Sequence, residues 1–270
     1  MRVLSTGLSL DVREHSADGP GKDHVILVHG YPDQQDMWDR VLEALDGDAL
    51  HLVTYDVRGA GASDAPPGRD GYRTDLLVED LLAVVAATVP DGERFHLVGH
   101  DWGSVQLWDV VAAEGHDARL RGRVASFTSI SGPSLDHVAH LSRHHDGRRL
   151  RMLNQAVHSW YIYAFHVPVL PEMAWARWGG DRGRNAANGL NLYRANFIRR
   201  MRDGAPLRTD VPVQVIVPTR DKFVTDVVLD DLDRACSRLS VVRLDAGHWV
   251  TRSQPQRVAE LVTGHVRQHA

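Results

Sequence analysis

The sequence predicts an α/β fold with a mainly parallel sheet. Short apolar runs alternate along the chain with longer segments that place apolar residues at helical spacing. Several of the short runs are continuous rather than alternating with polar residues, as expected for strands that helices cover on both faces. A chain of 270 residues with 43% hydrophobic residues is long enough for one sizeable core that carries an insertion. We therefore expect a single α/β unit.

Six runs have the composition of buried parallel strands. They are VILVHG at 25–30, LHLVTYD at 50–56, FHLVG at 95–99, VASFTSI at 124–130, VQVIV at 213–217 and VVRL at 241–244. The segments between these runs supply the helices. Tyr72 to Val89 has apolar residues at helical spacing, and Gln254 to His265 forms a closing helix with Pro255 near its first turn.

Residues 133–209 break the alternation of strands and helices. This region contains no convincing strand but much tryptophan, tyrosine, arginine and histidine, which indicates a helical insertion. Gly132-Pro133 marks its start and Pro206 lies near its end. We predict a first part of the core at 1–132, the helical insertion at 133–209 and a second part of the core at 210–270.

Composition argues against several classes of partner. The formal net charge of -4 comes from 31 basic and 35 acidic residues mixed along the chain, so we expect no nucleic-acid partner. The single cysteine, Cys236, rules out an internal disulfide. The first residues lack a signal-peptide pattern and no run is long enough to span a bilayer. We therefore expect no membrane partner and a cytoplasmic location.

The stretch HLVGHDWGSVQ predicts a strand, a tight turn and a helix, with Asp101 at the turn. Gly99 and Gly103 flank Asp101 at the spacing of a nucleophile elbow, in which glycines allow a sharp bend. The N-terminal amides of the following helix favour negative charge at this point. Helix capping is an equally common use of aspartate, so this stretch alone leaves both interpretations open.

Two later residues follow strand ends in the order that a hydrolase triad requires. Asp221 lies in VIVPTRDKFV and His248 lies in LDAGHWV. Taken separately, Asp221 could be a turn residue and His248 a core histidine. Because strand ends converge at one edge of a parallel sheet, the set of Asp101, Asp221 and His248 predicts a nucleophile, an acid and a base.

The segment HGYPD at 29–33 follows a predicted strand and can turn back toward the nucleophile. We expect the backbone N–H of Tyr31 to contribute to an oxyanion hole. Its partner is the backbone N–H of Trp102, directly after the nucleophile, because paired amides there can hold the charge of a tetrahedral intermediate. The side chains of these two residues are not needed for that role.

These motifs resemble those of the α/β-hydrolase-fold epoxide hydrolases. The resemblance rests on HGYPD, YDVRGAGASDAP, GHDWGS, PTRDKF and AGHW, which span nearly the whole chain. It is greatest to a bacterial hydrolase module that in some relatives is joined to a short-chain dehydrogenase, although we expect no dehydrogenase in this chain. Gly59 and Gly61 lack the third glycine of a dinucleotide motif, so we interpret them as a structural loop and expect no cofactor.

The resemblance implies that the insertion is a lid carrying two tyrosines that hold the epoxide oxygen. Tyr161 matches the first of them when the spacing is counted back from the following phenylalanine and proline, which selects it over Tyr163. Tyr193, in NLYRAN, matches the second. His166 departs from the family pattern, where glutamine is frequent. Aromatic packing within the lid is an equally common use of such tyrosines.

A carboxylate nucleophile indicates alkyl transfer. Its attack on a saturated carbon forms an ester. His248 then deprotonates a water molecule, which opens the ester, while Asp221 orients the imidazole. Epoxides and alkyl halides both offer such a carbon, but an opening epoxide benefits from phenol donors, so Tyr161 and Tyr193 favour epoxides. We expect conversion of a small epoxide and water to a vicinal diol. A haloalkane dehalogenase and a non-catalytic ligand-binding protein of the same fold are the alternatives.

Two further groups of lid residues have ordinary explanations. The histidines of HVAHLSRHH lack an accompanying carboxylate or cysteine set, so we interpret them as a solvated lid face and expect no metal. They are His137, His140, His144 and His145. The lid aromatics indicate an apolar or aromatic substrate, or simply lid core. They are Trp160, Phe165, Trp175 and Trp178. The natural substrate stays open, as does the alternative of a homodimer.

Overall fold

A computed structural model gives the arrangement of residues 1–16, 23–45, 50–144 and 147–270. The strands are β1 (Arg2–Ser5), β2 (Leu8–Ser16), β3 (Asp23–Val28), β4 (Leu50–Tyr55), β5 (Phe95–His100), β6 (Val124–Ile130), β7 (Val213–Pro218) and β8 (Leu239–Leu244). Within the described residues they form one sheet in the order β1-β2-β4-β3-β5-β6-β7-β8. β2 pairs antiparallel with β1 and β4, and the other neighbours are parallel. The predicted α/β class with a mainly parallel sheet is confirmed.

Helices connect the strands. They are α1 (Asp39–Leu45), α2 (Thr74–Thr88), α3 (Trp102–Ala113), α4 (Leu135–Arg143), α5 (Arg149–His158), α6 (Trp160–Phe165), α7 (Leu170–Trp178), α8 (Gly183–Asp203), α9 (Leu232–Ala235), α10 (Val250–Ser253) and α11 (Pro255–His269). Single 3-10 turns occur at Gln35–Trp38, Arg69–Tyr72, Gly180–Arg182 and Asp226–Leu229. None of the helices in the described ranges is both long and apolar enough to cross a membrane.

Two apolar cores lie on opposite faces of the sheet. Along β3, Ile26 and Val28 belong to one core, whereas Val25 and Leu27 belong to the other. Helices α2 and α3 supply side chains to the first core, and α1 and α11 supply them to the second. Because successive side chains of a strand point to opposite faces, a sheet covered on both faces needs apolar residues at every position. This requirement explains the continuous apolar runs in the sequence.

The predicted strands are all present, with ends displaced by at most two residues. The helices predicted at 72–89 and 254–265 correspond to α2 and α11, and Pro255 is the first residue of α11. The antiparallel hairpin of β1 and β2 was not predicted. Its turn is Thr6-Gly7, with both residues at positive φ, and it joins two strands in which buried and exposed residues alternate.

The YDVRGAGAS segment is held by hydrogen bonds and a buried ion pair. Asp56 accepts hydrogen bonds from the backbone N–H groups of Gln35 and Ala62, each at 2.8 Å. Arg58 forms two bonds of 2.6 Å to the carboxylate of Asp80, and both side chains are buried. These contacts support the interpretation of this glycine-containing segment as a structural loop.

Helices α4 to α8 all lie between β6 and β7. Asn196, a fully buried residue of α8, ties this region to the core. Its side-chain N–H donates to the carbonyl oxygen of Tyr72 at 2.8 Å, and its side-chain oxygen accepts from the N–H of Thr74 at 2.9 Å. The division of the chain at residues 133 and 209 stays a prediction; below, the lid means the helices α4 to α8.

Candidate active site

Asp101 lies between the end of β5 and the start of α3, and its backbone is strained. It has φ 51° and ψ -122°, a region that residues other than glycine rarely adopt. This conformation turns the chain sharply from strand to helix, as a nucleophile elbow requires. The carboxylate therefore stands at the C-terminal edge of the sheet, at the amino end of α3, where the helix dipole favours negative charge.

Gly99 and Gly103 are needed for close approach rather than for unusual dihedral angles. Neither glycine has a positive φ; the strained residue is Asp101 itself. A Cβ atom on Gly99 would lie 2.6 Å from the backbone of Ser104, and one on Gly103 would overlap the carbonyl of Val28. The two glycines thus allow the sharp turn by letting α3 pack directly against the strands, while the unusual dihedral angles belong to Asp101.

The backbone N–H of Tyr31 contacts the nucleophile directly. It donates a hydrogen bond of 2.7 Å to Oδ1 of Asp101. Tyr31 follows β3, which is the parallel neighbour of β5, so the two loops emerge side by side. Trp102 is the first residue of α3, and its N–H therefore has no acceptor within the helix. These are the two amides that the sequence predicts for an oxyanion hole.

His248 and Asp221 meet beside the nucleophile. The Nδ1–H of His248 donates to Oδ2 of Asp221 at 2.8 Å, and Nε2 lies 3.5 Å from Oδ2 of Asp101. Asp221 is fixed in turn, because its Oδ1 accepts from the N–H groups of Phe223 at 2.8 Å and Val224 at 3.2 Å. Loops after β5, β7 and β8 thus bring together the three residues that sequence order predicts as a triad.

The two carboxylates control the charge of His248. Burial by itself would lower the pKa of its imidazole, but hydrogen bonds and negative charge from Asp101 and Asp221 outweigh burial and raise the pKa to about 9. Burial by itself would raise the pKa of Asp221. The hydrogen bonds from His248 and from the neighbouring amides outweigh burial and lower this pKa below the usual value. At neutral pH the site therefore holds an imidazolium between two carboxylates.

Tyr161 on α6 and Tyr193 on α8 face each other with ring centroids 6.0 Å apart. Tyr193 is buried, and its ring packs at 4.9 Å from that of Trp102 and at 5.3 Å from that of Tyr31. Burial raises the pKa of both phenols, and the charge of Asp101 raises both further. Both groups are therefore proton donors at neutral pH. Tyr163, the alternative to Tyr161, is 60% exposed.

A cavity of about 650 Å³ joins these groups. It is lined by Asp101, Trp102, Tyr161 and Tyr193, and most of the remaining lining is apolar, from both the core and the lid. A volume of this size holds a molecule of ordinary metabolite or drug dimensions. Of the four lid aromatics considered as substrate contacts, none is among the described residues that line it. Trp160 and Trp178 are exposed, while Phe165 and Trp175 pack on the ring of Tyr31.

Three site residues were missed from the sequence. The ring of Phe223 lies 4.9 Å from that of His248 and 5.4 Å from that of Tyr161, and its position in PTRDKF was an available signal. Gln155 on α5 donates to the carbonyl oxygen of Phe223 at 2.8 Å and has no recognisable motif. His100 donates from Nε2 to the carbonyl oxygen of His248 at 2.9 Å. Burial and the charge of His248 lower the pKa of His100 to about 4, so this donor is neutral.

Asp33, the last residue of HGYPD, connects the loops around the site. It is buried and accepts from Nε1 of Trp249 at 3.1 Å, next to the base His248. It also pairs with Arg252 and, at 3.4 Å, with Arg182 of the lid. One carboxylate thus holds the loop of the Tyr31 amide, the loop of the base and the lid in a fixed relation.

The histidine-rich helix α4 is not a uniformly solvated face. His137 is buried, and its Nε2–H donates to the carbonyl oxygen of Asp230 at 2.9 Å, because this side of α4 packs on the core. The prediction of solvent exposure is therefore wrong for His137. His140 and His144 have rings 4.3 Å apart, and His145 lies outside the described residues. No cluster of three potential metal ligands occurs in the described ranges.

The chain is similar to known proteins of one fold. The family described as alpha/beta hydrolase fold matches residues 23–162, more than half of the chain. The "Probable oxidoreductase EphD" of Mycobacterium tuberculosis is 34% identical over 92% of this chain and 46% of its own length. The "Epoxide hydrolase A" of the same species is 33% identical over 49% of this chain and 38% of its own. The chain thus spans about half the length of EphD.

A solved structure shows the same architecture. The crystal structure of a Bacillus megaterium epoxide hydrolase in complex with an inhibitor aligns with a TM-score of 0.77 and 22% sequence identity. The alignment covers 99% of this chain and 100% of that chain. At this identity the likeness concerns the fold. The predicted α/β-hydrolase fold is confirmed.

Proposed function

This chain belongs to the α/β-hydrolase family, and we propose that it hydrolyses epoxides to vicinal diols through a covalent ester at Asp101. The observation that carries this proposal is the combination of a carboxylate at the elbow with two phenols in the same cavity, that of Tyr193 buried and that of Tyr161 partly buried. Nucleophilic attack by a carboxylate suits a saturated carbon, and phenols suit the oxygen that an epoxide releases. The names of two relatives, epoxide hydrolases from mycobacterial and bacillar species, support it.

In the first step an oxygen of Asp101 forms a bond to an epoxide carbon, and the bond between that carbon and the ring oxygen breaks. Tyr161 and Tyr193 donate hydrogen bonds to the ring oxygen, and one phenol proton is transferred to it. The product of this step is a hydroxyalkyl ester of Asp101. Because the pKa values of both phenols are raised, they stay protonated until the substrate oxygen becomes basic.

In the second step water opens the ester. His248 takes a proton from water, the hydroxide adds to the ester carbonyl, and the N–H groups of Tyr31 and Trp102 hold the oxyanion. The bond between this carbonyl carbon and the alkyl oxygen then breaks, and the proton of the added hydroxyl passes to the leaving alkoxide, which releases the diol and restores the carboxylate. The Tyr31 amide already bonds to Oδ1 of Asp101, so this donor needs little movement between the steps.

The proton balance depends on the high pKa of His248. Before reaction the imidazole is protonated, and a protonated base cannot activate water. Ester formation removes the negative charge of Asp101, which is one of the two charges that raise the pKa of His248. Burial then lowers this pKa, and only Asp221 still raises it. The imidazolium then gives up its proton, which replaces the one donated by the phenol. His248 is protonated again by the attacking water, so the cycle closes.

EphD has roughly twice the length of this chain, and the matched part covers 92% of this chain. We propose that this part is a hydrolase module, as the resemblance to modules joined to a short-chain dehydrogenase implies. We further propose that the substrate is a small-molecule epoxide and that water is the only second reactant.

A panel of epoxides and haloalkanes tests the function. The purified chain is incubated with aryl and alkyl glycidyl ethers and with matched chloroalkanes and bromoalkanes, and both diol and released halide are quantified. We expect diol from epoxides and no halide. Halide release without diol would assign the chain to the haloalkane dehalogenases, and binding without either product would assign it to the non-catalytic ligand-binding proteins of this fold.

A further inference from the structure

The outer face of the lid is apolar. Helix α5 shows this most plainly, because Leu150, Leu153 and Val157 are exposed, whereas the buried residue of this helix is Gln155. Spacings of three and four residues place the three apolar side chains on one side of the helix. Leu150 is 82% exposed. The helix thus turns its apolar side to solvent, which is the reverse of an ordinary surface helix.

The exposed apolar face continues over the next two helices. Trp160 and Tyr163 on α6 and Leu170 and Trp178 on α7 are exposed, Trp178 by 77%. Helix α5 packs against α6, and both α6 and α7 pack against α8. We call the exposed apolar side chains of α5, α6 and α7 the outer lid surface. Groups of exposed apolar side chains such as these are typical of interaction sites.

The cavity of the candidate active site opens through this surface. Arg149, Leu153 and Tyr163 line the cavity and are also exposed to solvent, so they form part of its mouth. A partner that binds to the outer lid surface would therefore lie directly over the cavity entrance that leads to Asp101.

The charges of the molecule are not distributed evenly. Residues 133–209 contain 12 arginines, no lysine and 5 acidic residues, a formal charge of +7, whereas the rest of the chain has 19 basic and 30 acidic residues, a charge of -11. Part of the lid charge is offset by core carboxylates, since Arg182 pairs with Asp36 and Arg200 pairs with Asp109. Arg149 on α5 and Arg177 on α7 are exposed, and neither forms an ion pair within the described parts of the chain. The apolar surface is thus accompanied by unpaired positive charge.

We propose that the outer lid surface docks on an anionic lipid surface. Leucine and tryptophan side chains insert at the boundary between headgroups and acyl chains, while arginines stay among anionic headgroups. A second copy is a poorer occupant of this surface, because a symmetric contact between two lids would bring the exposed arginines Arg149 and Arg177 of one copy toward those of the other. This proposal replaces our expectation of no membrane partner, which considered only segments that span a bilayer.

The consequence for the substrate rests on the proposed function. Apolar epoxides dissolve in the acyl-chain region of a membrane, and a cavity whose mouth faces that region receives them without passage through water. The lipid contact itself does not depend on catalysis, and it can be tested apart from it.

Vesicle binding tests the proposal. The purified chain is mixed with phosphatidylcholine vesicles, with or without about 30 mol% phosphatidylglycerol, and the bound fraction is measured by flotation. We expect binding to the anionic vesicles to be at least about tenfold stronger and to weaken as salt increases. Leu150→Ser/Trp178→Ser lowers this binding about tenfold or more through lost apolar contact. Arg149→Gln/Arg177→Gln lowers it on the order of 20-fold and removes the preference for anionic lipid.

Matched control variants lie on the core. Leu4→Ser removes an equally exposed leucine from β1, and Arg121→Gln removes an exposed arginine before β6, and both should bind like the wild type. Asp101→Ala should also bind like the wild type, whatever the outcome of the activity assays. Leu150→Ser/Trp178→Ser should turn over a water-soluble epoxide normally without vesicles, if the proposed function holds, because neither residue lines the cavity.

Three results would overturn the proposal. The first is no binding to anionic vesicles, and the second is equal loss of binding in the core and lid variants. The third is self-association in sedimentation velocity that Leu150→Ser/Trp178→Ser abolishes, with no vesicle binding by the wild type. That third result would assign the outer lid surface to a contact between copies of the chain.

Discussion

The carboxylate at residue 101 changes what the neighbouring histidine has to do. A serine at an elbow must lose a proton to a base before it attacks, whereas an ionised aspartate is already a nucleophile. His248 can therefore be protonated during the attack and is needed as a base only afterwards. The 3.5 Å separation between its Nε2 and Oδ2 of Asp101 and the raised pKa agree with an ion pair in the resting site.

Asp101→Ala should retain the fold and lose turnover of epoxides by about four or more orders of magnitude, because no other described side chain is placed to form the ester. The measurement is diol production alongside the circular dichroism spectrum. Ser104→Ala is a suitable control, since Ser104 is buried in the same helix and bonds to Ser129 and the carbonyl of Gly132 rather than to the nucleophile. Activity retained in Asp101→Ala would refute its assignment as the nucleophile.

His248→Gln should separate the two steps. The variant can still form the ester but cannot activate water, so it should gain the mass of one substrate molecule per chain after mixing with a reactive epoxide. Proteolytic mapping should locate the adduct on the peptide that contains Asp101. Wild type treated in parallel should hold far less. An adduct on another residue, or none despite substrate binding, would contradict the covalent mechanism.

The pKa of His248 should fall when the charge of Asp101 is removed. In the wild type the two carboxylates raise it to about 9 against the opposing effect of burial, and Asp101→Ala removes one of them, as ester formation does. NMR titration of the imidazole in both proteins measures the difference. In rapid-mixing assays, ester hydrolysis should slow as pH falls through the lower pKa of the intermediate. Equal titration in both proteins would exclude this coupling.

At the scale of elements, the lid helices α6 and α8 contribute one phenol each to a site whose nucleophile belongs to the core. Tyr161→Phe and Tyr193→Phe should each slow alkylation about tenfold to a hundredfold, since a charge-assisted hydrogen bond contributes roughly 1.5–3 kcal/mol. The double variant should nearly abolish the step. Single-turnover rates provide the measurement, and Tyr163→Phe, which alters an exposed phenol on the same helix, should react at the wild-type rate. Unchanged rates in all variants would reduce both tyrosines to packing residues and favour halides as substrates.

The elements that were predicted correctly are those that leave a recognisable pattern along the sequence. A strand buried on both faces must be apolar throughout, so β3 and β5 could be recognised as runs. The hairpin of β1 and β2 also had a signal, because Leu10 and Val12 alternate with polar residues, but this edge pair has one exposed face and no continuous run. Order along the chain indicated the triad, whereas the contacts of Gln155 depend on how α5 packs on the loop after β7 and leave no pattern in the sequence.

For the whole molecule, the decisive question is how the lid is held over the core, because the candidate site uses residues of both. Arg182 reaches from the lid to Asp33 at 3.4 Å and to Asp36 at 2.7 Å, next to the Tyr31 amide. Asn196 bonds to the backbone at the start of α2. These contacts are polar and local, so the lid is attached by a few specific side chains as well as by apolar packing. Their loss should affect both the folding and the alignment of the phenols.

Arg200 is the most consequential of these attachments. Its guanidinium on α8 pairs with Asp109 of α3 and, at 2.8 Å, with Asp136 of α4, and all three side chains are largely buried. Burial raises the pKa of both carboxyls, and Arg200 opposes that increase. Arg200→Met would leave two buried carboxylates without their cation. We expect it to lower the free energy of unfolding by about 2–4 kcal/mol at neutral pH.

The sign of the pH dependence distinguishes this cause from lost packing. Without Arg200 the folded-state pKa values of the two carboxyls rise further above the unfolded value of about 3.9. A carboxyl with a raised pKa destabilises the folded state only at pH values where the same carboxyl is ionised in the unfolded chain. The deficit of Arg200→Met should therefore be largest near pH 7 and should shrink as pH falls toward 4, as urea denaturation measures. Adding Asp109→Asn should restore part of the stability, and Arg202→Met, which breaks an exposed pair on the same helix, should change nothing measurable. A deficit that is constant with pH would mean that Arg200 stabilises the lid by packing alone.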